Sequence, residues 1–221
     1  MYAREPHPPY NGANPMIEGT RFALFMSAAL LLALTPGPGI FYVLGRTLNG
    51  GRREGVLSSL GTFVGGSVHV VAAALGLSAI LATSATAFQI VRYAGAAYLI
   101  YLGVIMIRHR DLKQEFEAEA ARGHQHVLQG ITTEVLNPKT ALFFLSFIPQ
   151  FVSTSSGHVT LQFLILGAIS VALNTAVDLI VVFFAGALAG QLRHNLKFNR
   201  RQRTASGAGM IGLGIYVAAS K

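Results

Sequence analysis

Six apolar stretches dominate this 221-residue chain, and each is close to the length that crosses a bilayer. They fall at about 20–45, 55–82, 87–107, 128–152, 159–188 and 204–220. A hydrocarbon core needs about 20 mostly apolar residues per helix. A soluble core interrupts such runs every 8 to 12 residues or so. The last run is short, but snorkelling flanks or a thinned bilayer accommodate it. Charged residues make up 12% of the chain, against about a quarter in a soluble domain. The pattern predicts an all-α integral membrane protein with six transmembrane helices.

Charge placement sets the orientation. The formal net charge of +8 would suit a nucleic-acid binder, but the basic residues sit in short loops, as topology signals do. Arg46, Arg52 and Arg53 lie between runs one and two. Arg108, Arg110, Lys113 and Arg122 lie between three and four. Arg193, Lys197, Arg200, Arg201 and Arg203 lie between five and six. The two alternate loops hold none. Six spans place all three basic loops on one side, the expected cytoplasm, with both termini outside. The chain has no Cys, which excludes disulfides and thiolate chemistry, and no Trp, which leaves Tyr and Phe for any interfacial belt. Residues 1–19 are polar and proline-rich without the order of a signal peptide. They read as a disordered tail ahead of a single domain over 20–221. Met16, just before the first run, is a candidate translation start beside Met1.

Proline interrupts the first and fourth runs. Thr35-Pro36-Gly37-Pro38-Gly39 breaks the first, and Asn137-Pro138-Lys139 breaks the fourth. A shift of 102 residues superimposes Thr35-Pro36 on Asn137-Pro138, Ile40 to Val43 on Leu142 to Leu145, and Gly65 on Gly167. Three spans per half make the halves antiparallel. The expected architecture is therefore a 3+3 inverted repeat with Pro/Gly breaks in helices 1 and 4. Such paired breaks point to a secondary transporter whose substrate binds where they meet.

Physics gives the breaks a use. Each proline removes an N–H and frees carbonyls on the preceding turn. In lipid an orphan group costs several kcal/mol, roughly, so protein, water or substrate must fill the gap. Amides of new half-helices, starting near Gly39 and Lys139, would attract a carboxylate. Freed carbonyls would attract an ammonium. An amino acid carries both.

Three segments, LTPGPGIFYVLGRTLNGGRREG, VRYAGAAYLIYLG and LNPKTALFFLSFIPQFV, together resemble the LysE/RhtB family of bacterial amino-acid exporters. The resemblance covers the chain from Met16 onward. It implies a six-helix inner-membrane carrier that exports amino acids, driven by the proton gradient. Its members carry basic amino acids, homoserine and threonine, or leucine and other neutral ones. His69 and Asp178 look similar to positions of the homoserine/threonine branch, without fixing the substrate.

Individual residues refine the expectation. Asp178, in the middle of run five, is costly in lipid unless paired or solvated. It reads as a substrate-ammonium or proton site, or else as a hydrogen-bonded structural acid, with Arg92 or Lys139 as candidate partners. Asn174, one turn earlier, shares its face, and Gly167 and Ser170 extend the same stripe. Gly61, Gly65, His69 and Gly76 share a face of run two. Gly61-x-x-x-Gly65 permits close helix approach, and His69 is a candidate proton-coupling group or a hydrogen-bonded packing residue. Glu134, one turn before Pro138, is a third titratable candidate, facing the cavity or a cytoplasmic gate. Lys139 is expected to pair with Asp178 or Glu134, bind a carboxylate, or snorkel. Arg92 is expected to snorkel outward. His124-x-His126 is placed in a loop without further ligands. The expected substrate and translocation set is Thr35, Pro36, Gly37, Pro38, Gly39, Asn137, Pro138, Lys139, Asn174 and Asp178, with no metal or cofactor.

Other classes fit less well. A divalent-cation or other small-solute exporter is the alternative, but it needs several acids or His converging at the midplane. An enzyme reading lacks any HExxH or GxSxG. A homo-oligomer through the Gly-rich faces of runs two and six is compatible with the sequence.

Overall fold

The structure is a computed structural model that describes residues 19–109, 124–153, 157–194 and 196–219. Met16, nearly all of the expected tail and most of the connector expected between spans three and four lie outside the described residues. The described residues are helical, with no strand among them. Helix α1 is Gly19–Leu34 and α2 is Pro38–Ala72. A π-helical turn, Ala73–Leu77, leads into α3, Ser78–Thr83. Helix α4 is Ala85–Arg108 and α5 is His124–Val135. Helix α6 is Pro138–Leu142, followed by a π turn Phe143–Phe147 and a 3-10 turn Ile148–Phe151. Helix α7 is Val159–His194 and α8 is Leu196–Ala219.

Among the described residues, three stretches are long and apolar enough to cross a membrane: Pro38–Ile80, Gln89–Arg108 and Val159–Ala185. Arg21–Leu34 is a shorter apolar helix. The stretch beginning at Pro38 is not one straight rod. Gly51 has φ 81° and ψ −178°, a backbone conformation that favours glycine. In a continuous helix, residues eight apart stand about 12 Å from each other. Here a Cβ on Gly55 would overlap the Thr47 hydroxyl, so the chain reverses at Gly51. The expected junction between spans one and two falls there. Helix α5 begins at His124, four residues before the expected start of span four, which puts His126 on a helix rather than in a loop.

The main pairings are α2 with α5, α2 with α7, and α4 with α8. Glycine makes each close. Cβ atoms at Gly61 and Gly65 would run into the Val127 and Ile131 carbonyls of α5, as the Gly61-x-x-x-Gly65 spacing predicts. Gly76 has open space instead and takes no part in that seam. Gly103 faces the Gly207 carbonyl, and Gly214 faces that of Ala96. Gly207 and Gly214, on the Gly-rich face of run six that is compatible with an oligomer, are engaged within the chain.

An aromatic ladder fills the core on one side of the second break. Phe143 and Phe147 lie 5.0 Å apart, Phe147 and Phe151 4.8 Å, and Phe151 and Phe25 of α1 5.5 Å. Arg92 does not snorkel. It is buried, and its Nε donates to the Val217 carbonyl at 2.8 Å, with Nη2 3.5 Å from that of Ala218. A cation at the last carbonyls of α8 satisfies groups that have no helical partner.

Candidate functional site

The two breaks face one cavity. In an α-helix each carbonyl accepts the N–H four residues on. Leu32 looks to position 36 and Glu134 to position 138, and both are proline. Each freed carbonyl answers in the same way. It takes the N–H three residues on, from Thr35 at 3.1 Å in the first break and from Asn137 at 3.1 Å in the second. It then recruits a basic side chain from elsewhere. The Lys139 ammonium donates to Leu32 at 3.1 Å and to the Thr35 carbonyl at 2.8 Å. His69 Nε2 lies 3.0 Å from the Glu134 carbonyl. A carbonyl only accepts, so that nitrogen carries the proton.

The new half-helices begin at Pro38 and Pro138, each at the first helical position, where a missing N–H does no harm. Pro36 and Pro38 therefore divide between them what Pro138 does alone. The half-helix starts, Pro38 and Pro138, stand 100 residues apart, against 102 for Leu32 and Glu134, so at these starts the expected overlay of Ile40 to Val43 on Leu142 to Leu145 is out of step by two residues. The extra pair, Pro36-Gly37, makes room. A Cβ on Gly37 would sit 3.3 Å from Lys139 Cε. At the second break Asn137 caps α6, its Oδ1 accepting the Lys139 N–H at 3.1 Å. The amide expected to draw a carboxylate there is thus already engaged.

The cavity between the breaks is lined by Gly39, Ile40, Thr62, Gly66, Glu134, Asn137, Lys139, Thr140, Phe144, Val171, Asn174, Thr175 and Asp178. Its free volume is about 20 Å³, room for about one water molecule. Glu134, Lys139 and Asp178 expose 7%, 7% and 4% of their surface, so three ionisable groups share a nearly closed space. Asp178 accepts from the Thr62 hydroxyl at 2.7 Å. Glu134 accepts from Thr140 Oγ1 at 2.6 Å and from Asn137 Nδ2 at 3.1 Å. Neither carboxylate has an ion-pair partner within 4 Å among the described residues. Asp178 is thus hydrogen-bonded, but to a hydroxyl rather than to the candidate partners Arg92 or Lys139. The pairing expected of Lys139 is replaced by backbone carbonyls. Both substitutions follow from Lys139 lying beside the nearest freed carbonyls.

Of the expected set, Gly39, Asn137, Lys139, Asn174, Asp178 and Glu134 line the cavity. Thr35 and Gly37 border the lysine, while Pro36 and Pro38 shape the break. His69 stands just outside it, its ring 5.9 Å from Phe144. Ser170 bonds back to Leu166 and Gly167 packs on Val70 and Phe144, so the stripe reaches the cavity only at Asn174 and Asp178. The sequence reading missed Thr62, Thr140 and Thr175. A threonine in an apolar helix is a weak signal, because its hydroxyl can bond its own preceding turn, as Thr175 does to Val171.

A second polar layer lies about two turns from the cavity along α2 and α5. Tyr42 donates to the His126 carbonyl at 2.6 Å, Arg46 donates to Gln129, and His126 Nε2 lies 3.5 Å from Glu54.

A bundle of apolar helices, broken by proline around a small charged cavity, defines a membrane translocator of small solutes. A family model described as "LysE type translocator" matches residues 30–221, and the chain belongs to that family, one of transporters rather than enzymes. It is 35% identical to an uncharacterised membrane protein of Pseudomonas aeruginosa, over 88% of this chain and 90% of that one. It is 31% identical to an uncharacterised membrane protein of Bacillus subtilis, over 86% and 95%. A leucine efflux protein of an Enterobacter species is 31% identical over 87% and 90%. No solved structure matches the chain.

Proposed function

We propose that this protein exports amino acids from the cytoplasm by proton-coupled secondary transport. One observation carries the reading: the two proline breaks meet at a cavity that holds two carboxylates and a lysine. Such a site offers complements to both ends of a zwitterion. The relative named as a leucine efflux protein supports an amino-acid substrate.

The proposed architecture is six spans in a 3+3 inverted arrangement with the basic loops cytoplasmic and both termini outside. Span three (α4) pairs with span six (α8), and span two (the later part of α2) pairs with span five (α7). A two-fold axis in the membrane plane relates those same elements. Within this reading Asp178 is the proton carrier, because it is a buried acid held by a single hydroxyl. Glu134 and His69 assist at the second break.

The test is efflux of labelled L-leucine, L-threonine, L-homoserine and L-lysine from proteoliposomes under an imposed pH gradient. Flux of at least one that collapses with the gradient is expected. Asp178→Asn is expected to lower that flux at least tenfold, about 1.4 kcal/mol, with the protein still monodisperse. Undiminished flux in that variant removes Asp178 from the mechanism. Absence of flux for all four under a verified gradient removes the exporter reading.

A further inference from the structure

Lys139 borders a cavity with two carboxylates, yet its ammonium donates to the carbonyls of Leu32 and Thr35 rather than to either carboxylate. We propose that these two carbonyls are a primary-ammonium seat. Lys139 fills it in the empty carrier, and the ammonium of the transported solute takes it when Lys139 crosses to Glu134 and Asp178. The geometry of the seat stands on its own; only the identity of the solute rests on the exporter reading.

Four observations support the exchange. The seat is built for an ammonium. Pro36 removes the N–H that would normally occupy Leu32, and the helix stops before Thr35 can find one. A primary ammonium has three donors and reaches both oxygens at 3.1 and 2.8 Å. Space demands movement as well, because a cavity of about 20 Å³ admits no amino acid while the lysine stays. Departure of its head would vacate the seat for the ammonium of the solute. The lysine also has a destination, since both carboxylates are held only by the neutral groups of Thr62, Thr140 and Asn137. Finally, its stem is unbranched and runs past Gly37, where no side chain obstructs it. His69 at the other break is a ring set against Phe144 and has no such freedom.

The experiment starts from Lys139→Ala, which removes the atoms of n-propylammonium. Thermal unfolding of the full chain in nanodiscs is followed with and without that amine. The variant is expected to melt below wild type and to recover with n-propylammonium, but not with tetramethylammonium or 1-propanol. Wild type, with its seat filled, is expected to be indifferent. The response must survive in Lys139→Ala/Asp178→Asn, since its loss there would place the amine on the carboxylate and overturn the seat. L-leucine methyl ester, an ammonium without a carboxylate, should act like the amine. A response of wild type to N-acetyl-L-leucine that Lys139→Ala loses would make Lys139 a carboxylate ligand and also overturn it. If Lys139→Ala fails to fold, growth and purification with n-propylammonium should restore a monodisperse product. Aggregation with and without the amine counts against the proposal. An amine response without amino-acid flux keeps the seat and removes the exporter reading, and flux without an amine response does the reverse.

Discussion

At the first break Pro36 takes away the donor that Leu32 would use. At the second, Pro138 does the same to Glu134. The consequences diverge. The first break has two prolines and a wider gap, and it is closed by a charged, flexible side chain from the other half of the molecule. The second has one proline and a tight Asn137 cap, and it is closed by an imidazole set against Phe144. The second residue of each new half-helix meets the opposite break. Gly39 lies against the Glu134 carboxylate, and Lys139 reaches the end of α1. The same backbone vacancy thus gives a movable joint on one side and a fixed one on the other.

The comparison is most exposed to loss of the two basic groups. Lys139→Met leaves two buried carbonyls without a cation. Hydrogen bonds to charged groups contribute about 1.5–3 kcal/mol each, so a loss of about 3 kcal/mol is expected in denaturant unfolding. His69→Phe removes one bond and keeps the ring contact, a loss of about 1 kcal/mol. Equal losses would mean that the two joints do not differ in kind.

Proline replacement comes next. Pro138→Ala restores an N–H opposite Glu134 and alters the only proline at its break, so a fall in flux of about tenfold, or 1.4 kcal/mol, is expected. Pro36→Ala leaves Pro38 to start α2 and should lower flux by about threefold, or 0.7 kcal/mol. The reverse order would show that the division of labour between Pro36 and Pro38 is not functional. Gly39→Ala is the mildest change. Its Cβ would lie 2.6 Å from Glu134 Oε2, which must shift at the end of a flexible side chain. A stability loss of about 1 kcal/mol is expected, with Glu134 rather than Lys139 displaced.

Much of this was legible in the residues. The 102-residue shift pairs Pro36 with Pro138, and the carbonyls that those prolines free, Leu32 and Glu134, stand four residues before each. The Gly61–Gly65 spacing foretells a close helix approach, while its partner, α5, comes from the packing. Asp178 and Asn174 were placed on one face by helical period alone. The starts of the half-helices were off by one residue, because a proline that ends one helix also suits the first position of the next. Arg92 was read as snorkelling because its position in the span says nothing of the α8 carbonyls waiting nearby. His126 was read as a loop residue because the polar run before it gives no helix start signal.

The one-dimensional chain determined where the backbone hydrogen bonding must fail, since a proline lacks an N–H in every environment. It also determined that the failures lie in apolar stretches, where water cannot repair them. Only the tertiary structure decided which groups repair them. A freed carbonyl accepts any donor that arrives, and Lys139, His69 and Arg92 are each more than 60 residues from the carbonyls they reach. Their meeting depends on helix packing that glycine seams allow and that no local pattern encodes.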